Sequence, residues 1–85
     1  MTIDEIIPVV LEFARNSTQF ISPNSENDPI LPALSSLTDE QFGTFFFGLL
    51  AELSSKGVKA KIPLEMLRHC QNWGNVCVLV DNFQE

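Results

Sequence analysis

The chain has no tyrosine, one tryptophan and one histidine, and its 85 residues hold five basic side chains against eleven acidic ones. Each scarcity excludes something. Phosphate backbones are held by clustered Lys and Arg, so a net charge of −6 argues against nucleic acid or an anionic membrane surface as the partner. His69, Cys70 and Cys77 fall short of a four-ligand structural zinc set. His69 and Cys70 are adjacent, and on a helix they diverge by about 100°, poor geometry for a nucleophile and its base. Both cysteines lie among apolar residues and read as reduced core thiols. No glycine-rich phosphate loop, paired-carboxylate site, repeat or low-complexity tract is present, so the expectation is a protein that is not an enzyme. No apolar run approaches the roughly 20 residues that cross a bilayer, and no signal sequence opens the chain. A soluble, cytoplasmic protein is expected.

What the chain does have is phenylalanine and aliphatic residues, in a 45% hydrophobic composition suited to one domain with one core. Phe42, Phe45, Phe46, Leu49, Leu50 and Leu53 recur at i, i+3, i+4, i+7, i+8 and i+11. That spacing is one apolar stripe of a helix, which is stable only when covered. Phe47 stands about 100° from Phe46 and cannot share its face, so it is a flank of the core or an exposed contact residue. Two starts compete for this helix: Ser35 capping a helix that contains Ser36, or Thr38 capping a later one with Gln41 completing a box. Ser54-Ser55-Lys56-Gly57 ends it.

The remaining elements follow from the same signals. Thr2 with Glu5 opens a first helix over about 3–16, with Ile3, Ile6, Ile7, Val10 and Phe13 on its apolar face. Pro8 predicts a kink, or a helix beginning properly only near Ile7. Residues 16–32 are rich in Asn, Ser, Pro, Asp and Glu and form a long connection. Phe20-Ile21 and Ile30-Leu31 are expected to pin it to the core. Val58–Ile62 is a linker. Pro63 opens a short third helix with Leu64 and Leu67 facing inward. Residues 75–80 have strand propensity, yet Trp73, Val76, Cys77, Val80 and Phe83 keep helical spacing behind the cap Asn72, which predicts a fourth helix. The fold class is all-α, a four-helix bundle with a long loop between helices 1 and 2 and a short third helix.

Charge is divided unevenly. Residues 1–55 hold eight acids against Arg15, while 56–69 hold Lys56, Lys59, Lys61 and Arg68 against Glu65. This layout of a short helix, a long polar loop, Ser36-Leu37 before a dominant helix, Ile62-Pro63, a short helix and a final helix resembles the acyl and peptidyl carrier protein family. The likeness spans the chain in layout. It is tightest over Ile62-Pro63-Leu64-Glu65-Met66-Leu67 and Trp73–Val80.

The resemblance implies that Ser36 carries 4′-phosphopantetheine through a phosphodiester, because an Asp-Ser-Leu motif begins the family's second helix and Ser35-Ser36-Leu37 occupies that place. A serine at a helix N-terminus would expose its hydroxyl and set the attached phosphate against unpaired N–H groups. The arm would hold an acyl or aminoacyl group as a thioester in fatty-acid, polyketide or nonribosomal-peptide assembly. Leu37, Asp39, Glu40 and Phe47 would contact partners: a phosphopantetheinyl transferase and basic patches on biosynthetic enzymes, with the carrier a monomer. The chain departs from the family in Ser35, which replaces an aspartate, and in a longer stretch from Ser36 to Pro63. A rival alignment sets Glu40-Gln41-Phe42 on the motif and leaves no serine to modify. The residues also fit a capping pair at Ser35 and Ser36 with no further role. A second function class is a helical interaction module or homodimer, binding through Phe47 and a groove at Gly43 and Gly48.

Overall fold

The computed structural model describes all residues, Met1–Glu85. Four helices follow in order: α1 (Ile3–Asn16), α2 (Asp39–Ser55), α3 (Leu64–Arg68) and α4 (Trp73–Asn82), with a 3₁₀ turn at Leu34–Ser36 ahead of α2. The chain is all-α. α1 packs on α4 and α2, while α3 packs on α4 and on the 3₁₀ turn.

α1 begins where the Glu5 carboxylate accepts hydrogen bonds from the Thr2 amide and hydroxyl, both at 3.0 Å. It runs unbroken from Ile3 through Pro8, so the late start near Ile7 is not adopted. The ring costs one ladder bond, and burial of Ile6, Val9, Val10, Leu11 and Ala14 outweighs it. In α2 the stripe turns inward: Phe42, Phe45, Leu49 and Leu53 are buried, with Phe46 and Leu50 packed on the margin. Gly48 lies toward α1, where an added Cβ would stand 3.2 Å from the Phe13 ring. That glycine sits at the α1–α2 contact and lines a surface groove with Phe13, Ser17 and Thr44, apart from Gly43.

Residues 75–80 are helical. The Asn72 side chain accepts from the Asn75 amide at 2.8 Å, and Trp73, Val76, Cys77, Leu79 and Val80 are buried. Core packing overrides the β-branched preference. The Trp73 indole N–H is buried without a protein acceptor. Its ring sits against Phe20 and Phe45 at centroid distances of 5.4 and 6.2 Å. The linker after α2 touches the chain end through a single antiparallel bridge, Ala60 with Gln84.

The long connection is laid along the bundle. Ile30 donates to the Gln71 carbonyl at 2.9 Å, and Trp73 and Gly74 donate to Asp28 and Glu26 at 3.3 and 2.6 Å. The Arg15 guanidinium holds the Pro23 and Asn24 carbonyls from α1. Of the four expected pins, Phe20 and Ile30 are buried, while Ile21 and Leu31 point out. The radius of gyration, 11.4 Å, is no larger than the roughly 12 Å expected for this length, so the connection adds no projecting arm. It delivers the chain to Leu34, whose fully buried side chain fixes the 3₁₀ turn.

Candidate functional site

The region before α2 is built from two local devices. Leu34 anchors a single turn in which the Ser36 amide and hydroxyl both donate to the Ala33 carbonyl, at 3.0 and 2.7 Å. Leu37 is then extended, at φ −74° and ψ 149°. Thr38 caps α2: its hydroxyl accepts from the Gln41 amide at 3.1 Å, and the Gln41 side chain accepts from the Thr38 amide at 3.0 Å. Of the two competing starts, the later one is realised. The reciprocal box offers two bonds where Ser35 could offer one.

Ser36 is therefore exposed, but on a separate turn and not on the first turn of α2. The Asp39 and Glu40 side chains are exposed on that first turn, and Phe47 is 71% exposed one face further on. Leu37 corrects the expectation of a contact residue. Its side chain is buried in the core, because an extended residue between a turn and a cap points opposite to its neighbours. Leu64 corrects it the other way: expected inside, it is 51% exposed.

Leu64 belongs instead to a groove of about 310 Å³ between α2 and α3, walled by Phe42, Phe46, Phe47 and Leu64 and edged by Asp39, Glu65 and Arg68. Two residues singled out from the sequence, Asp39 and Phe47, thus meet at one groove. Gly43 lies there too, with nothing within 4 Å of an added Cβ. Ser36, Leu37 and Glu40 do not line it. Sequence reasoning missed Arg68, counting it as one of the four bases in residues 56–69. Its Nη1 bonds Asp39 at 2.9 Å, its Nη2 donates to the Leu37 carbonyl, and its guanidinium lies 5.0 Å from the Phe42 ring centroid. The apolar Phe42 beside an acidic helix start was the one available signal.

A second groove, about 500 Å³, lies between α3 and α4 and is lined by Met66, His69, Cys70 and Val78 among others. Cys70 is buried there, its thiol donating to the Met66 carbonyl at 3.5 Å, and burial pushes its pKa up to about 11. A thiol held protonated beside an exposed imidazole is a poor nucleophile. No three His, Cys, Asp or Glu side chains gather as a metal site. No helix is long and apolar enough to cross a membrane.

A phosphopantetheine arm fits at Ser36 as far as the hydroxyl goes: it is open to solvent and would give up only the bond to Ala33. The helix N-terminus contributes less than the resemblance implies. The Thr38 and Gln41 amides are already taken by the cap, and the intervening residues carry carboxylates. Comparison with models of known families, with characterised proteins and with solved structures gives no match for this chain.

Proposed function

We propose that this chain is a discrete acyl or peptidyl carrier protein, doing no chemistry of its own and working in the cytoplasm as a monomer. The observation that supports it best is the exposed Ser36 hydroxyl on a turn packed against α3, next to the Asp39–Arg68 end of the α2–α3 groove. Ser36 would hold the 4′-phosphopantetheine arm. Loading moves the phosphopantetheinyl group from coenzyme A to Ser36 Oγ, with the hydroxyl proton lost and adenosine 3′,5′-bisphosphate released. The arm's thiol, when attached, carries the acyl or aminoacyl group as a thioester. Asp39 and Glu40 would meet basic patches on the transferase and on biosynthetic enzymes, and Phe47 would add an apolar contact beside them. Leu37 takes no part in docking, being inside.

Intact mass after co-expression with a broad-specificity phosphopantetheinyl transferase tests this. The expected result is one added arm on the wild type and none on Ser36→Ala. An unshifted wild type, or an equal shift in both, removes the reading.

A second reading is favoured by one observation: α2 starts at Asp39, so its first turn, Asp39-Glu40-Gln41-Phe42, contains no serine. On that reading the chain is an arm-free helical interaction module, binding through Phe47 and Leu64. An unmodified wild type that captures a partner, with capture lost in Phe47→Ala, distinguishes it.

A further inference from the structure

Resting on the reading of Ser36 as the attachment point, we infer that Arg68 is a positioning residue for that hydroxyl, latching the Leu34–Ser36 turn to α3 and to the start of α2. Burial of Leu34 and Leu37 seats the turn on the core, but the polar backbone between them has little else to hold it. Its own hydrogen bonds, from the Ser36 and Leu37 amides, close only on Ala33 and Leu34. The Arg68 bond to the Leu37 carbonyl is the one hydrogen bond that ties residues 33–37 to another element. It is charge-assisted and part-buried, and so stronger than a neutral surface bond.

The same guanidinium reaches Asp39, two residues further on, and covers the Phe42 ring, so one side chain fixes both ends of the segment through which Ser36 enters α2. The two halves are unequal. The Asp39 side chain is 99% exposed and its ion pair is screened by water, whereas the Arg68 side chain is 29% exposed. The carbonyl bond is the main restraint and the ion pair aims it. A planar fork serves both acceptors at once, whereas a lysine ammonium on its flexible stem lacks that rigid geometry and restores only part of the restraint. α3 is a single short helix seated on α4 and this turn, so a partner that shifts α3 at Leu64 or Glu65 also shifts Ser36.

The test uses Arg68→Met, which keeps an apolar stem over Phe42, with Arg68→Lys and Asp39→Asn beside it. Backbone ¹⁵N order parameters at Ser35, Ser36 and Leu37 are read against those of α4, together with kcat/KM for loading Ser36 by the transferase. In Arg68→Met the turn loses order while α4 keeps it, and loading slows roughly tenfold or more, the scale of one charge-assisted bond. Arg68→Lys recovers part of both, and Asp39→Asn leaves the order of the turn nearest the wild type, while its loading also slows through the charge lost from the docking surface. A turn as ordered in Arg68→Met as in the wild type overturns the latch. Should Arg68→Met fail to fold, an Arg68→Lys turn with wild-type order does the same. A wild type that is never loaded overturns the carrier reading instead, and the order parameters then judge the latch alone.

Discussion

Phe20 meets Trp73 edge to face, ring centroids 5.4 Å apart and planes at 90°. The contact joins the long connection to α4, and Phe20 also stands edge-on to Phe45 at 5.2 Å. One loop residue therefore bridges the two helices whose rings make the aromatic centre. Truncating it in Phe20→Ala leaves a cavity between them and is expected to destabilise the fold by about 3–5 kcal/mol. Trp73 is the only tryptophan, so its emission reports the site directly. Urea unfolding followed by fluorescence checks the loss, and Ile21→Ala on the exposed side of the same loop is expected to change stability by about 0.5 kcal/mol or less.

Periodicity carried the helices and failed where contacts are non-local. The α2 stripe and the α4 spacing each repeat over two or more turns, enough to set a phase. Most of each is buried as that phase requires, with Phe46, Leu50 and Phe83 packed at the margin. α3 has five residues, little more than one turn, so its neighbours and not its pattern decide which way Leu64 points. The connection showed its apolar residues but not its path, because backbone bonds to Gln71 and from Trp73 and Gly74 leave no mark in side-chain pattern. Leu37 reads as half of a Ser-Leu motif until the cap at Thr38 is placed; once it is, Leu37 must be the extended residue between two turns. Arg68 was legible as a charge and illegible as a latch, since its partners lie 29 and 31 positions away.

The two glycines of α2 are expected to answer alanine differently. Both lie in helix interior, where alanine is favoured over glycine by about 1 kcal/mol. At Gly43 nothing lies within 4 Å of the new Cβ, so Gly43→Ala raises stability by about 0.5–1 kcal/mol. At Gly48 the Cβ would stand 3.2 Å from the half-buried Phe13 ring, which must shift. Gly48→Ala therefore gains less than Gly43→Ala or loses outright. Paired thermal melts decide it: equal gains would mean the α1–α2 contact yields freely.

Glu5 gives a pH dependence with a definite sign. Hydrogen bonds from the Thr2 amide, and then from its hydroxyl, hold the Glu5 carboxyl below its ordinary 4.5. A depressed folded-state pKa stabilises above the unfolded value and is lost as pH falls through the folded one. The contribution is thus present above about pH 4.5 and disappears below it. A ¹³C titration of the Glu5 carboxyl should give a midpoint under 4.5. Thr2→Ala, which keeps the amide and removes the hydroxyl, should move it only part of the way back. An unmoved midpoint in Thr2→Ala would assign the whole effect to the amide.

The thiols set the alkaline limit. Burial pushes Cys70 up to about 11 and Cys77 up to about 12, against an ordinary value of 9.0. For Cys77 the nearby Glu26 carboxylate adds to burial. In the unfolded chain both ionise near 9.0, while in the folded chain both stay protonated, so unfolding releases protons once the pH exceeds that value. Stability therefore falls as pH rises from about 9 toward 11, and Cys77→Ala or Cys70→Ser each removes part of that slope whatever it does to stability at pH 7. Iodoacetamide at neutral pH checks the same physics kinetically. Both thiols are shielded and protonated, so alkylation proceeds through opening of the structure and accelerates with urea in step with the fluorescence of Trp73. Rapid labelling of Cys70 in the native chain, with Cys77 still protected, would instead show that the α3–α4 groove opens by itself, without the rest of the bundle.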